Sequence, residues 1–184
     1  MRKIPTLFER DWFGDRSRVT REVNPDALWV IDGEGVPTVK WDGTAVMIDE
    51  SGGYWKRYEV KKGKTPPGGF LPADDPDPNT GKQQGWVRVD PNDPADKWHM
   101  EAWDRYEPGT YELVGPKVQG NPHDLDQHML KPHGFKKCKD DPRTFDDVAM
   151  FLRFHPFEGI VWHHPDGRMV KVKARDFGIE WPRR

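Results

Sequence analysis

One cysteine, two serines and no long apolar run characterise this 184-residue chain by what it does without. Cys138 has no sulfur partner, so no disulfide framework holds the fold and a reducing compartment is expected. Ser17 and Ser51 stand in no nucleophile-elbow pattern, which excludes a serine hydrolase. No apolar stretch approaches the roughly 18 residues that cross a bilayer, and mean hydropathy is −0.94. The opening MRKIPTLFERDWFGDR meets charge and aromatic residues too early for a signal peptide. A water-soluble, cytoplasmic protein is expected, with no membrane association and no obligate protein partner evident. His123, His128 and His133 are five residues apart, which fits no helical ligand face, and a lone cysteine cannot complete a zinc site.

An excess of charge of one sign is also missing. Lys and Arg number 29 against 31 Asp and Glu, a net charge of −2, so bulk charge does not mark a nucleic-acid binder. The distribution is uneven: residues 1–114 carry a balance of −5 and residues 115–184 a balance of +3. A local basic groove remains open. Arg10, Arg16, Arg18 and Arg21 make residues 1–24 a basic N-terminal segment. It reads as a solvated arm, with contact to a nucleic-acid backbone as the alternative.

What is present reads as short strands broken by turns. Residues 27–31 (ALWVI) and 44–48 (TAVMI) are β-rich runs flanked by Gly, Asp and Pro, and 54–60 (YWKRYEV) alternates aromatic and charged residues. Prolines, glycines and aspartates fill 11 of the 20 positions from 65 to 84, which predicts an irregular excursion. Strands follow at 86–89, 110–114, 159–163 and 169–172, the last two joined by a Pro-Asp-Gly turn. Residues 96–105 carry a helical spacing, and 144–154 is a helix with Thr144 as N-cap, acids in its first turn and Val148, Phe151 and Leu152 on its apolar face. The expected class is α+β, dominated by antiparallel sheet, in a single domain over 1–184.

Three short patterns concentrate chemistry: Lys40-Trp41-Asp42-Gly43, Glu158-Gly159-Ile160-Val161 and Lys171-Val172-Lys173. In a strand, residues i and i+2 point to one face, so Lys171 and Lys173 project together. A short turn ties their strand to the one that Glu158 opens, which brings two cations and a carboxylate to one place. Such a set suits a triphosphate with a divalent ion. A nucleophilic lysine must be neutral, yet with a reference pKa of about 10.4 only about one in a thousand is deprotonated near pH 7.4. Neighbouring cations lower that barrier and balance charge on a phosphate.

Lys40-Trp41-Asp42-Gly43 resembles the KxDG nucleotidyl-lysine motif of the covalent nucleotidyltransferases, which comprise DNA ligases, RNA ligases and mRNA-capping enzymes. Other pieces follow in that superfamily's order. Arg57 stands 17 residues on, Glu112 resembles the motif III glutamate, Glu158-Gly159 resembles motif IV, and Lys171 and Lys173 resemble the KxK of motif V. Asp176-Phe-Gly-Ile-Glu-Trp-Pro, Trp98-His-Met-Glu-Ala and Gly115-Pro-Lys-Val-Gln-Gly-Asn-Pro are similar to the small RNA ligases related to the vertebrate 5′-3′ RNA ligase. The resemblance covers about residues 25–182.

That resemblance implies a nucleotidyltransferase core of two antiparallel sheets with flanking helices and ATP in the groove between them. An oligonucleotide-binding (OB) domain is not expected, since 11 residues follow Lys173. It implies Lys40 as the AMP carrier, Arg57 and Glu112 on ribose, Glu158 on a Mg²⁺ or Mn²⁺ ion or on the base side, and Lys171 and Lys173 on the α-phosphate. The substrate implied is RNA with 5′-phosphate and 3′-hydroxyl ends, in a cellular or a phage-infected cytoplasm. A DNA-sealing ligase, a GTP-using capping relative and a catalytically idle RNA-end-binding module are the alternatives. The chain departs from many ligases in placing Thr38, not glutamate, two residues before the nucleophile. Purine selection then falls to Thr38, the Val39 backbone or other groups. Leu130 and Phe135 are the candidates for a base platform, and Trp41 and Trp162 for lining the site.

Overall fold

The computed structural model describes residues 4–182. In chain order the elements are β1 (Phe8–Arg10), β2 (Val19–Val23), α1 (Leu28–Ile31), β3 (Val36–Lys40), β4 (Thr44–Ile48), β5 (Tyr54–Val60), β6 (Leu71–Pro72) and β7 (Gln83–Arg88). There follow α2 (Lys97–Glu101), β8 (Gly109–Val114), β9 (Met129–Pro132), α3 (Phe145–Phe154), β10 (Gly159–His163) and β11 (Met169–Lys173). All pairings between these strands are antiparallel, as the α+β reading expects.

The described residues divide into two compact units, one formed by residues 43–132 and one by 4–42 with 133–182. The first is built on a six-stranded sheet, β6-β7-β5-β4-β8-β9. Strand alternation sends Val46, Ile48, Tyr54, Tyr111, Leu113 and Leu130 into its core, where Ala102 and Val118 pack against them. Residues 65–84, apart from β6 and the first two residues of β7, form the irregular excursion that their composition predicts.

The second unit carries the sheet β11-β10-β3. Ile160, Trp162, Val170 and Val172 face inward and are fully buried or nearly so. They pack with Val148, Phe151 and Leu152 of α3 and with Leu7, Phe8, Trp29 and Val30. Thr144 caps α3 as its sequence predicts, its side chain accepting from the Asp147 N–H at 3.2 Å.

Two expectations change here. Residues 27–31 are helical rather than a strand: Asn24 caps a 3-10 turn at Pro25–Ala27 that runs into α1. A short apolar run does not separate strand from helix, and Asn24-Pro25 was the start signal. The basic N-terminal segment is no solvated arm over its described part. Leu7 and Phe8 are 0% and 1% exposed, and β1 pairs with β2.

Candidate active site

The three-stranded sheet arranges the site in rows. Lys40, Gly159 and Lys173 lie opposite one another across β3, β10 and β11, and Thr38, Val161 and Lys171 form the next row. Directly paired residues of an antiparallel sheet share a face, so the three lysines rise from the side opposite the apolar core. The carboxylate of Glu158, just ahead of Gly159, is clasped between two of them. Its Oε1 accepts from Lys173 Nζ at 2.6 Å and its Oε2 from Lys40 Nζ. Lys40 Nζ also reaches the Trp41 carbonyl at 3.4 Å. Position 159 must be glycine, because a Cβ there would lie 2.0 Å from the Val172 carbonyl oxygen.

Electrostatics follow from this crowding. Burial pushes the Glu158 carboxyl up, but the ammonium groups of Lys40 and Lys173 outweigh it and hold the group below its ordinary range. Lys171 is pushed down to about 8, first by burial and then by Lys173 and Lys40. Among the described residues no carboxylate forms an ion pair with Lys171. The row therefore holds a cation that is desolvated and open to an anion.

The flanking groups are placed as follows. Asp42 accepts from the indole N–H of Trp181 at 2.7 Å, so the turn after Lys40 is pinned to the segment following β11. Thr38 is buried and donates its hydroxyl to the Val161 carbonyl at 3.0 Å. The Val39 N–H donates to the Lys136 carbonyl at 2.8 Å, and the Cys138 N–H to the Pro37 carbonyl at 3.0 Å. Residues 136–138 thus run antiparallel along the outer edge of β3, and Phe135, 78% exposed, stands at the Lys40 end of that pairing. Lys136 Nζ sits 5.0 Å from the Trp41 ring centroid. Of the two candidate base platforms, Leu130 is in the core of the 43–132 unit and Phe135 is the exposed one. Trp162 belongs to the core, not to the site.

Arg57 and Glu112 lie in the 43–132 unit. Ala45 pairs with Glu112 across β4 and β8, and Val46 pairs with Lys56 across β4 and β5. Alternation therefore puts Arg57, Ala45 and Glu112 on the face opposite that unit's core. Two strand spacings, roughly 10 Å, separate the Arg57 and Glu112 backbones, with the small Ala45 between. Arg57 Nε donates to Gln84 Oε1 at 3.1 Å and its guanidinium stacks 5.2 Å from the Trp86 ring centroid. Glu112 Oε1 accepts from the Gly43 N–H at 3.1 Å. Sequence reading gave no site role to Arg10, in the basic N-terminal segment, or to Asp176, which opens the Asp-Phe-Gly-Ile-Glu-Trp-Pro stretch three residues beyond Lys173, where an Asp caps a turn.

The RNA ligase 1 family model matches residues 103–184 of this chain. That stretch contains Glu112, Glu158, Lys171 and Lys173, whereas Thr38, Val39, Lys40 and Arg57 lie outside it. RNA ligase 1 of Danio rerio is 34% identical over 82 residues, covering 40% of this chain and 25% of the relative. RNA ligase 1 of Rattus norvegicus is 30% identical over 143 residues, covering 58% of this chain and 44% of the relative. The protein of the same name from Mus musculus is 37% identical over 82 residues, again 40% of this chain and 25% of its own length. The chain thus spans between a quarter and less than half of the curated relatives it matches. Over residues 103–184 the chain is similar to the RNA ligase 1 family.

Proposed function

We propose that the protein is an ATP-dependent RNA ligase, joining 5′-phosphate to 3′-hydroxyl RNA ends through a lysyl-AMP intermediate on Lys40. One observation carries the reading: a buried carboxylate, Glu158, clasped by Lys40 and Lys173 beside Lys171, which forms no ion pair among the described residues. The Lys40–Glu158 contact holds the nucleophile's Nζ in place. Lys40 Nζ yields its proton to solvent, and the freed lone pair attacks the α-phosphorus of ATP. A P–N bond forms, the bond to the bridging α–β oxygen breaks, and pyrophosphate leaves. Lys171 and Lys173, on the same face, balance the negative charge that grows on the α-phosphate oxygens. AMP then passes to an RNA 5′-phosphate. The 3′-hydroxyl attacks that phosphate, AMP departs and a phosphodiester remains.

Arg57 and Glu112 supply a guanidinium and a carboxylate for the ribose, and Phe135 an exposed ring for a base. Among the described residues no cluster of three His, Cys, Asp or Glu could hold a metal by itself. Among the described residues Glu158 is the carboxylate of the lysine row, so it would be the residue to hold a Mg²⁺ or Mn²⁺ ion. Such an ion supplies charge neutralisation at the triphosphate when bound. The names of the relatives support RNA over DNA as the strand joined.

The reading is tested with nicked duplexes carrying all-RNA, all-DNA or mixed strands at two salt concentrations. The all-RNA nick and the nick with ribose on the 3′-hydroxyl side should seal fastest, because a 2′-hydroxyl is what distinguishes the sugars. Pairing supplies the proximity of the two ends. Sealing should fall steeply with salt if a few basic side chains provide the contact. Equal sealing of the all-DNA nick would contradict the RNA assignment, and incorporation of GMP in place of AMP would contradict the nucleotide.

A further inference from the structure

The outer edge of β11 is held by residues far from it in sequence. Strand β11 pairs with β10 on one side, which leaves the backbone groups of Lys171 and Lys173 pointing to the other. Lys171 is secured there by the N-terminal segment: its N–H donates to the Pro5 carbonyl and its carbonyl accepts from the Leu7 N–H, both at 2.9 Å. The N–H of Lys173 donates to Asp176 Oδ2 at 2.8 Å. The other carboxylate oxygen of Asp176 accepts from Arg10 Nη1 at 2.7 Å.

Asp176 is 4% exposed, so its charge depends on Arg10 and on the N–H it receives. Arg10 is itself fixed, since Nη1 also donates to the Ser17 carbonyl at 3.2 Å across the β1–β2 connection. Leu7 and Phe8, next to it, are buried, and the Phe8 ring packs edge-on against Phe145 and Phe177. One partly buried ion pair therefore joins a packed N-terminal segment to the strand that carries both phosphate-side lysines. Arg10 lies outside the stretch matched by the family model.

We propose that Arg10 and Asp176 act as a unit that positions Lys171 and Lys173 for AMP transfer. The proposal rests on the function assigned above. Neither residue touches the reacting atoms; they set where the two lysine side chains start. A displacement of about 1 Å in a charge-stabilising group costs on the order of 10²-fold in rate, so loosening this edge is felt in chemistry before it unfolds the protein.

The test combines lysyl-AMP formation at saturating ATP with amide hydrogen exchange, on the full chain. Arg10→Ala and Asp176→Asn should each slow adduct formation by about tenfold or more. The double variant should be no slower than the slower single one, and Arg10→Lys should recover much of the rate. The amides of Lys171 and Lys173 should exchange faster in Arg10→Ala while those of β10 stay protected. Arg21→Ala, which removes a surface pair between β2 of the same hairpin and Asp146 of α3, should leave both readouts unchanged. Wild-type rates in Arg10→Ala and Asp176→Asn, or losses that simply add in the double variant, would overturn the proposal. If Arg10→Ala does not fold, Arg10→Lys and Asp176→Asn carry the same comparison. If the wild-type protein forms no adduct, the function assigned above fails, and exchange alone decides the positioning role: unchanged protection at Lys171 and Lys173 in the variants refutes it.

Discussion

Lys171 carries its charge where burial and two neighbouring ammonium groups oppose it, and this has a cost in stability. Its folded pKa of about 8 lies below its ordinary value of 10.5, so the unfolded chain binds more protons between those values. Stability contributed by this residue therefore rises as pH goes from about 8 to 10.5, and the full penalty is present below 8. Lys171→Met should stabilise the fold at pH 7, on the order of 1–3 kcal/mol, with Tm rising about 2–4 °C for each kcal/mol. The same variant should slow lysyl-AMP formation by roughly 10²-fold. In the wild type, kcat/KM for ATP should gain a falling limb above pH 8 as Lys171 loses its proton, and Lys171→Arg should remove that limb. A lower Tm with unchanged rate in Lys171→Met would place this lysine outside the phosphate site. The candidate site residues stand out one by one in the sequence, since Lys40, Glu158, Lys171 and Lys173 each sit in a short local pattern. The pairing of Arg10 with Asp176 does not, because a pair separated by 166 positions leaves no local trace.

At the scale of elements, the lysine row depends on how closely β10 and β11 approach. Gly159→Ala puts a Cβ 2.0 Å from the Val172 carbonyl oxygen, and backbone cannot yield as a flexible side chain does. Overpacking of this kind costs about 1–3 kcal/mol, which urea denaturation would measure. Adduct formation should fall with it, since Glu158 and Lys173 flank the contact. A variant with wild-type stability would show that the two strands are less tightly apposed than described. Helix α3 was legible because cap, acidic first turn and apolar face all agree. Strand β3 was hidden. Pro37 lies inside it, and its partners, β10 and residues 136–138, are about a hundred or more positions away in sequence. Residues 27–31 misled because β-branched and aromatic side chains fill a core from a helix as well as from a strand.

Over the whole molecule, the expected site residues fall into two groups. Thr38, Val39, Lys40, Glu158, Lys171 and Lys173 belong to the unit formed by 4–42 with 133–182, and Arg57 and Glu112 to the unit formed by 43–132. The KxDG motif straddles the division between Asp42 and Gly43. The residues proposed for the phosphates thus come from the unit that holds both ends of the described chain, and the pair proposed for ribose from the middle of the chain. A net charge of −2 hides this arrangement, because three lysines on one sheet face count for more at a phosphate than the total does. Lys40 is the residue on which the proposed reaction depends. Incubation with α-labelled ATP and Mg²⁺ or Mn²⁺, followed by denaturing electrophoresis and intact mass, should give one AMP per chain. That adduct should be labile in acid, stable in alkali, and absent from Lys40→Ala. No adduct on the wild-type protein, or an adduct that persists in Lys40→Ala, would contradict the account.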